Sequence, residues 1–195
     1  DGCGLLFQPS DYNALFDLWR EDALPLRFRL FISAWDRGDE VGNYTDYTEY
    51  QQHDFGDGIV KVSGVGEVVH LGCHDLEGMD EFQVGDAAVA ELLDISRICA
   101  ARGWRMSMHA VLDETVGRVL DAWEQVEAET GGGKGHRWSI VHADAASAKN
   151  LDRIAALEVG VLVQNRHVLK GGDYVERWGR SEAAYAQPIA ELRAR

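Results

Sequence analysis

Three side chains that could bind a metal stand in otherwise apolar stretches. Lys61 interrupts the segment IVKVS, His109 follows RMSM, and His142 follows WSIV. Imidazole nitrogen is a common ligand of Zn²⁺, at about 2.0–2.1 Å. Burial lowers the pKa of a lysine, and the neutral amine can then take up carbon dioxide to form a carbamate that bridges two cations. These residue types predict a metal site, provided that the fold brings them together.

Each candidate also has a purely structural interpretation. A lone histidine on a strand is more often a hydrogen-bonded core residue than a ligand, and Lys61 can extend its amine to the rim or pair with an acid. A second candidate ligand set is the segment HLGCH, in which His70, Cys73 and His74 would share one face of a helix. Gly72 favours a loop there, and three ligands without a fourth partner make a weaker prediction.

The apolar periodicity predicts how the chain would position these residues. Alternation and short apolar runs predict about five strands, near residues 26–33, 58–65, 105–112, 138–143 and 161–168. Helical spacing separates the later strands, and such short repeats indicate parallel pairing with right-handed crossovers. We therefore predict an α/β fold, in which parallel (β/α) units form part of a TIM-type (β/α)8 barrel. It is incomplete without flanking sequence, since closure takes eight strands.

The predicted strands place the two histidines close together. Active sites of parallel α/β folds collect at the carboxyl ends of the strands, and neighbouring strands lie about 4.8 Å apart. His109 and His142 stand near the ends of adjacent predicted strands, and the alternation aims His109 away from the apolar side. We predict that both imidazoles reach one ion, with Lys61 beside them. Residues 36–57 and 66–82 are predicted to be loops or excursions over this rim.

Composition limits the classes of partner. The 195 residues suit one domain, and 46% hydrophobic residues can form a core. With 19 Lys and Arg against 33 Asp and Glu, the net charge is −14, which repels phosphate backbones and anionic lipids. We therefore expect neither nucleic acid nor membrane as a partner. Three cysteines without a CxxC motif predict free buried thiols and a cytoplasmic location.

Longer segments around the candidates carry a family resemblance. VKVSGVGE, MHAVLDETVGRVLDAWE and RWSIVHADAASAKNLDRIAALEVGVLVQNRHV together resemble family three of the amidohydrolase superfamily, which includes enzymes similar to N-substituted formamide deformylase. The resemblance implies a metal-dependent hydrolase on a (β/α)8 barrel, acting on non-peptide, amide-like carbon–nitrogen bonds of small molecules. It implies one or two divalent ions, with Zn²⁺ expected from the nitrogen-rich ligand set.

The resemblance also implies roles for individual residues. These are Lys61, His109 and His142 as metal ligands, Lys61 being carboxylated, Asp113 and His167 as catalytic residues, and Gln164 and His167 as substrate contacts. The family's HxH pair and its last metal-binding aspartate have no match in residues 1–195. We therefore expect an internal fragment of the barrel that holds about half of the metal site and has little activity alone.

Two other interpretations stay open at this point. A non-catalytic α/β interaction module could keep the scaffold and use its acidic surface for binding. Exposed edge strands of the open sheet could also pair between copies, which would give a homo-oligomer.

Overall fold

A parallel sheet forms the centre of the molecule. The computed structural model describes residues 9–75, 81–130, 135–165 and 167–195. The parallel strands lie side by side in chain order: β1 (Phe28–Ile32), β3 (Val60–Glu67), β4 (Arg105–Ala110), β5 (Ser139–His142) and β6 (Gly160–Leu162). A short strand, β2 (Phe55–Gly56), pairs antiparallel with β3. This sheet with its flanking helices is consistent with part of a TIM barrel, so the predicted fold class is confirmed.

The helices connect the strands and cover the sheet. They are α1 (Asn13–Arg20), α2 (Glu40–Tyr50), α3 (Asp86–Arg102), α4 (Asp113–Thr130), α5 (Ala148–Ala156), α6 (His167–Ala183, kinked at Gly179) and α7 (Ile189–Ala194). Short 3₁₀ helices span Pro9–Tyr12 and Leu71–Cys73. None of the helices in the described ranges combines the length and apolar character that a bilayer-crossing helix requires.

One apolar face of α3 and one of α4 pack on the sheet. Buried residues at helical spacing are Leu92, Ile95 and Cys99 on α3, and Val116, Val119, Leu120 and Trp123 on α4. These side chains share one core with Met106 and Met108 of β4. Burial of this apolar surface is the main favourable term that holds the helices on the sheet.

Local signals set several element ends. Gly103 follows α3 in the left-handed region, with φ 72°, which glycine adopts without steric cost. The side chain of Ser147 accepts a hydrogen bond from the N–H of Asn150 and so caps α5. The expected last strand, 161–168, is wrong in its second half. Here β6 ends at Leu162 and the helix α6 begins at His167, because polar residues follow the short apolar run.

The two segments that were predicted to be loops or excursions contain some regular structure. Residues 36–57 include both the helix α2 and the strand β2. Residues 66–82 begin inside β3 and continue into the second 3₁₀ helix. Residues 76–80 lie outside the described residues.

The described cysteines are free and buried, as predicted. Cys73 and Cys99 are both 0% exposed, and burial raises the pKa of each thiol to about 12. Cys3 lies outside the described residues. We expect a chromophoric thiol reagent at pH 8 to label at most one cysteine per native chain, and all three in denaturant, because the thiolate is the reactive form. Rapid labelling of Cys73 or Cys99 in the native protein would contradict this burial.

Candidate metal centre

Three side chains meet at the carboxyl end of the sheet. Glu67 is the last residue of β3, and it pairs in register with Met108 of β4. The next residue of β4 is His109, and Ala110 pairs with His142, the last residue of β5. The parallel register therefore brings these three side chains to neighbouring positions on one edge.

Both imidazoles converge on one carboxylate oxygen. The Nδ1 atom of His109 lies 2.7 Å from Glu67 Oε1, and the Nε2 atom of His142 lies 2.9 Å from the same oxygen. The two rings are 4.6 Å apart between centroids, at 74° to each other. His109 and His142 are 1% and 2% exposed. The structure therefore brings together the two histidines that the sequence singled out.

This arrangement has the chemistry of a transition-metal site. One ligand atom from each of Glu67, His109 and His142 lies within 4.8 Å of the other two. Tetrahedral zinc with bonds of about 2.0–2.1 Å separates its ligand atoms by about 3.4 Å. The two nitrogen–oxygen distances in the structure, 2.7 and 2.9 Å, are shorter, so a small outward shift of Glu67 from the two rings would make room for an ion. Two imidazoles and one carboxylate suit zinc or a related metal better than calcium or magnesium.

The end of β5 adopts an unusual backbone conformation. His142 has φ 82° and Ala143 has φ 53°, both in the left-handed region that non-glycine residues rarely adopt. The N–H of Ala143 donates to the carbonyl of Ala110, which holds this turn against β4. Such conformations cost about 1–3 kcal/mol each and cluster at functional sites. The Nδ1 atom of His142 is buried and has no hydrogen-bond partner in the described part of the chain.

The ring of His109 sits between two acidic groups. Burial lowers its pKa, but hydrogen bonds with Asp75 and Glu67 act in the opposite direction and raise the pKa to about 9. The metal-free imidazole is therefore mostly protonated at neutral pH. Because a metal binds only the unprotonated nitrogen, binding to this ring must release a proton.

Lys61 does not reach this site. It is the second residue of β3 and pairs with Arg29 of β1 and Gly56 of β2. Six residues of strand separate it from Glu67, a distance of about 20 Å at 3.3 Å per residue. The expectation that its amine flanks the two imidazoles is wrong. The reason is that β3 continues past residue 65, so its carboxyl end carries Glu67 instead.

Asp113 joins two helices rather than facing the imidazoles. It is the first residue of α4, and its Oδ1 atom accepts hydrogen bonds from the N–H of Ser147 at 2.6 Å and from the amide of Asn150 at 2.7 Å. These bonds fix the start of α5 against the start of α4. The structure therefore gives Asp113 a capping role and does not bring it to the metal centre.

Replacement of Asp113 distinguishes a role in helix capping from a role in metal binding. We expect Asp113→Ala to lower the free energy of unfolding by about 1–2 kcal/mol, the usual cost of losing a cap, and to leave zinc affinity unchanged. Urea denaturation and a zinc titration measure the two quantities. Asp17→Ala is a suitable control, since Asp17 is an exposed acid paired with Arg20 on the same helix. A large loss of zinc affinity in Asp113→Ala would contradict the capping role.

Gln164 lies beside the candidate site. It lines a cavity of about 290 Å³ together with Glu67, Ser107 and Val141. Its backbone carbonyl accepts a hydrogen bond from the side-chain amide of Gln187. Its role as a substrate contact remains a prediction. The same holds for His167, whose backbone begins α6.

A second group of possible ligands is a hydrogen-bonded cluster. Glu40, His70 and Glu91 bring ligand atoms within 4.8 Å of one another. However, the Nδ1 atom of His70 accepts from the N–H of Gly72 at 3.0 Å. Its Nε2 atom must then carry the proton, which it donates to Glu91 Oε2 at 2.8 Å. Neither ring nitrogen keeps a lone pair for a metal in this arrangement.

The alternative set of His70, Cys73 and His74 does not form one ligand face. Cys73 belongs to the hydrophobic core. The ring of His74 packs against His109, with 3.9 Å between centroids. His70 instead contacts Glu91 on α3.

These features define a class of protein: part of a TIM-type parallel barrel with candidate metal ligands at the carboxyl ends of its strands. Residues 1–195 match the amidohydrolase family, and the chain belongs to that family. Two solved structures have a similar fold, both described as uncharacterized metal-dependent hydrolases. The one from Pyrococcus furiosus has a TM-score of 0.67 and 22% identity, over 93% of this chain and 37% of that one. The one from Pyrococcus horikoshii OT3 has a TM-score of 0.67 and 21% identity, over 93% and 36%.

The chain thus spans little more than a third of the length of those two proteins. No curated protein matches the chain. The identities are low, so these two likenesses show the fold and not the reaction.

Proposed function

We propose that this protein is a metal-dependent hydrolase whose divalent ion is bound by Glu67, His109 and His142. The observation that carries this proposal is the convergence of two imidazole nitrogens, 2.7 and 2.9 Å away, on one oxygen of Glu67. Membership of the amidohydrolase family supports it. Zinc suits the two nitrogen ligands, and the ligand set is also compatible with a second ion held by strands outside residues 1–195.

The residues around the proposed ion have different roles in binding the metal and the substrate. His109 and His142 would hold the ion from two different strands, and Glu67 would add a negative charge between them. A bound ion of this kind lowers the pKa of a coordinated water and polarises a carbonyl oxygen. Gln164 lines the same cavity as Glu67, and its side-chain amide is proposed to donate to the carbonyl oxygen of a substrate. His167 is proposed to orient the same carbonyl.

The substrate is proposed to be a small non-peptide amide, with N-substituted formamides as the first class to test. This follows from the resemblance of the segments around His109 and His142 to enzymes similar to N-substituted formamide deformylase. The full reaction would need the remaining ligands of a complete barrel, since the chain spans 37% and 36% of the two similar structures. The cytoplasm is the proposed location, and no nucleic acid or membrane is expected to bind.

Zinc binding tests this proposal on the chain itself. Competition with a chromophoric chelator at pH 7.5 should show one zinc ion per chain, and the double variant His109→Ala, His142→Ala should lose it. Release of formate from N-substituted formamides, measured with and without chelator, then tests the reaction. Zinc binding that persists in the double variant would overturn the site. Indifference of both proteins to zinc would favour a non-catalytic interaction module.

A further inference from the structure

Asp75 is a buried acid held against the end of β4. It follows the second 3₁₀ helix and is 0% exposed. Its Oδ2 atom accepts hydrogen bonds from the N–H groups of Leu112 and Val111, at 2.7 and 2.9 Å, and its Oδ1 atom lies 3.0 Å from the same N–H of Val111. Both N–H groups come directly after the strand that carries His109. The carboxylate is therefore fixed relative to that strand.

Two acceptors of Asp75 face one nitrogen of His109. The Nε2 atom of the ring lies 2.8 Å from the backbone carbonyl of Asp75 and 3.0 Å from its Oδ1 atom. Neither oxygen can donate, so both favour a hydrogen on Nε2. A neutral imidazole has only one N–H. Nδ1 faces one carboxylate oxygen of Glu67, whereas Nε2 faces two oxygens of Asp75, so the neutral ring favours the hydrogen on Nε2 and the lone pair on Nδ1. This is the atom that faces Glu67.

We infer that Asp75 is a positioning residue that selects Nδ1 of His109 as the metal-binding atom. The inference rests on the proposed metal site, but the preferred tautomer of the neutral ring is already a property of the metal-free chain. The ring of His74 packs on His109 at 3.9 Å between centroids, which restricts rotation of the imidazole. Outer partners of this type orient the ligand and typically change metal affinity by about 10- to 100-fold when they are lost.

The variant Asp75→Asn tests whether Asp75 selects the metal-binding nitrogen of His109, because asparagine has nearly the same size as aspartate. Two N–H donors face the Oδ2 position, so the amide oxygen should stay there. The amide NH₂ group then takes the Oδ1 position and presents a donor to His109 Nε2. The preference for hydrogen on Nε2 is weakened, because one of its two acceptors has become a donor.

The tautomer of His109 can be read directly by ¹⁵N NMR of histidine-labelled, metal-free protein. The pH is raised until the signals of His109 no longer change, so that the ring is neutral when its tautomer is read. The variant His109→Asn assigns the signal. We expect the wild type to carry hydrogen on Nε2, and Asp75→Asn to populate the other tautomer. We also expect zinc affinity at pH 7.5 to fall by about 10- to 100-fold.

Asp144→Asn is the matched control. Asp144 is also 0% exposed and accepts hydrogen bonds from Tyr174 at 2.7 Å and Gln187 at 3.1 Å. Its replacement should destabilise the fold but leave the tautomer of His109 and the zinc affinity unchanged.

Several outcomes would overturn the role of Asp75. Hydrogen on Nδ1 in the wild type would do so without any variant, which keeps the inference testable even if Asp75→Asn fails to fold. An unchanged tautomer with unchanged zinc affinity in Asp75→Asn would do so as well. In contrast, the expected tautomers in a wild type that binds no zinc would support Asp75 as the selector and overturn only the proposed metal site.

Discussion

Glu67→Gln is expected to weaken zinc binding by more than about 100-fold, because the loss of even an outer partner of a metal ligand costs about 10- to 100-fold. The amide that replaces the carboxylate is neutral and a poorer ligand. Lys61→Gln should leave zinc affinity within about twofold, since the backbone of Lys61 lies six residues before Glu67 on the same strand, about 20 Å away. The pair of variants therefore distinguishes the ligand that the structure places at the site from the one that the resemblance implied.

Competition with a chromophoric chelator at pH 7.5 measures both dissociation constants, and far-UV circular dichroism checks that each variant is folded. His70→Asn provides a further control, because the ring of His70 is already engaged with Gly72 and Glu91. An equal loss of zinc affinity in Lys61→Gln and Glu67→Gln would indicate that Lys61 is a ligand and would contradict the strand register described above.

The second large effect concerns stability. Trp123→Ala should lower the free energy of unfolding by about 3–5 kcal/mol, the usual cost of truncating a buried aromatic residue. Trp123 is 1% exposed on the sheet-facing side of α4, and its ring lies 5.2 Å from that of Trp138. A small domain has only about 5–15 kcal/mol of stability in total, so the variant approaches the unfolding threshold.

Trp123→Phe should cost clearly less than Trp123→Ala. The indole N–H of Trp123 is buried without a hydrogen-bond partner among the described residues. Phenylalanine keeps most of the apolar contact and removes this unsatisfied donor, whose burial costs about 1–3 kcal/mol. Urea denaturation of both variants measures the difference, with Tyr50→Ala as a control at an 87% exposed position. Equal losses in the alanine and phenylalanine variants would contradict this account of the indole.

The sequence predicted the fold and the two histidines because both depend on local pattern. The alternation of apolar strands with helical faces predicted the parallel sheet, and it put His109 and His142 near the ends of adjacent strands. The predicted strand, 58–65, ends before Gly66, whereas β3 continues through Gly66 to Glu67. In the structure a Cβ atom on Gly66 would lie 1.9 Å from the carbonyl oxygen of Ser107, and one on Gly64 would lie 2.5 Å from the ring of Phe31. These glycines permit close approach inside the strand.

Sequence analysis did not predict the roles of Glu67 and Asp75, because their contacts depend on the tertiary fold. Their contacts with His109 join residues that are 42 and 34 positions apart. No helical or strand period relates such positions. The one available signal for Glu67 was a charged residue directly after an apolar, glycine-containing run, and its meaning depended on where the strand ended.

The three candidate ligands, Glu67, His109 and His142, lie on three different strands, the last of which is β5. A nascent chain that has not yet docked β5 therefore offers a metal only part of the ligand set. If these residues bind an ion as proposed, the full ligand set forms only after β5 has docked, and the bound ion would then link segments that are distant in the chain. The speed of uptake by a refolding chain would then report when β5 takes its place.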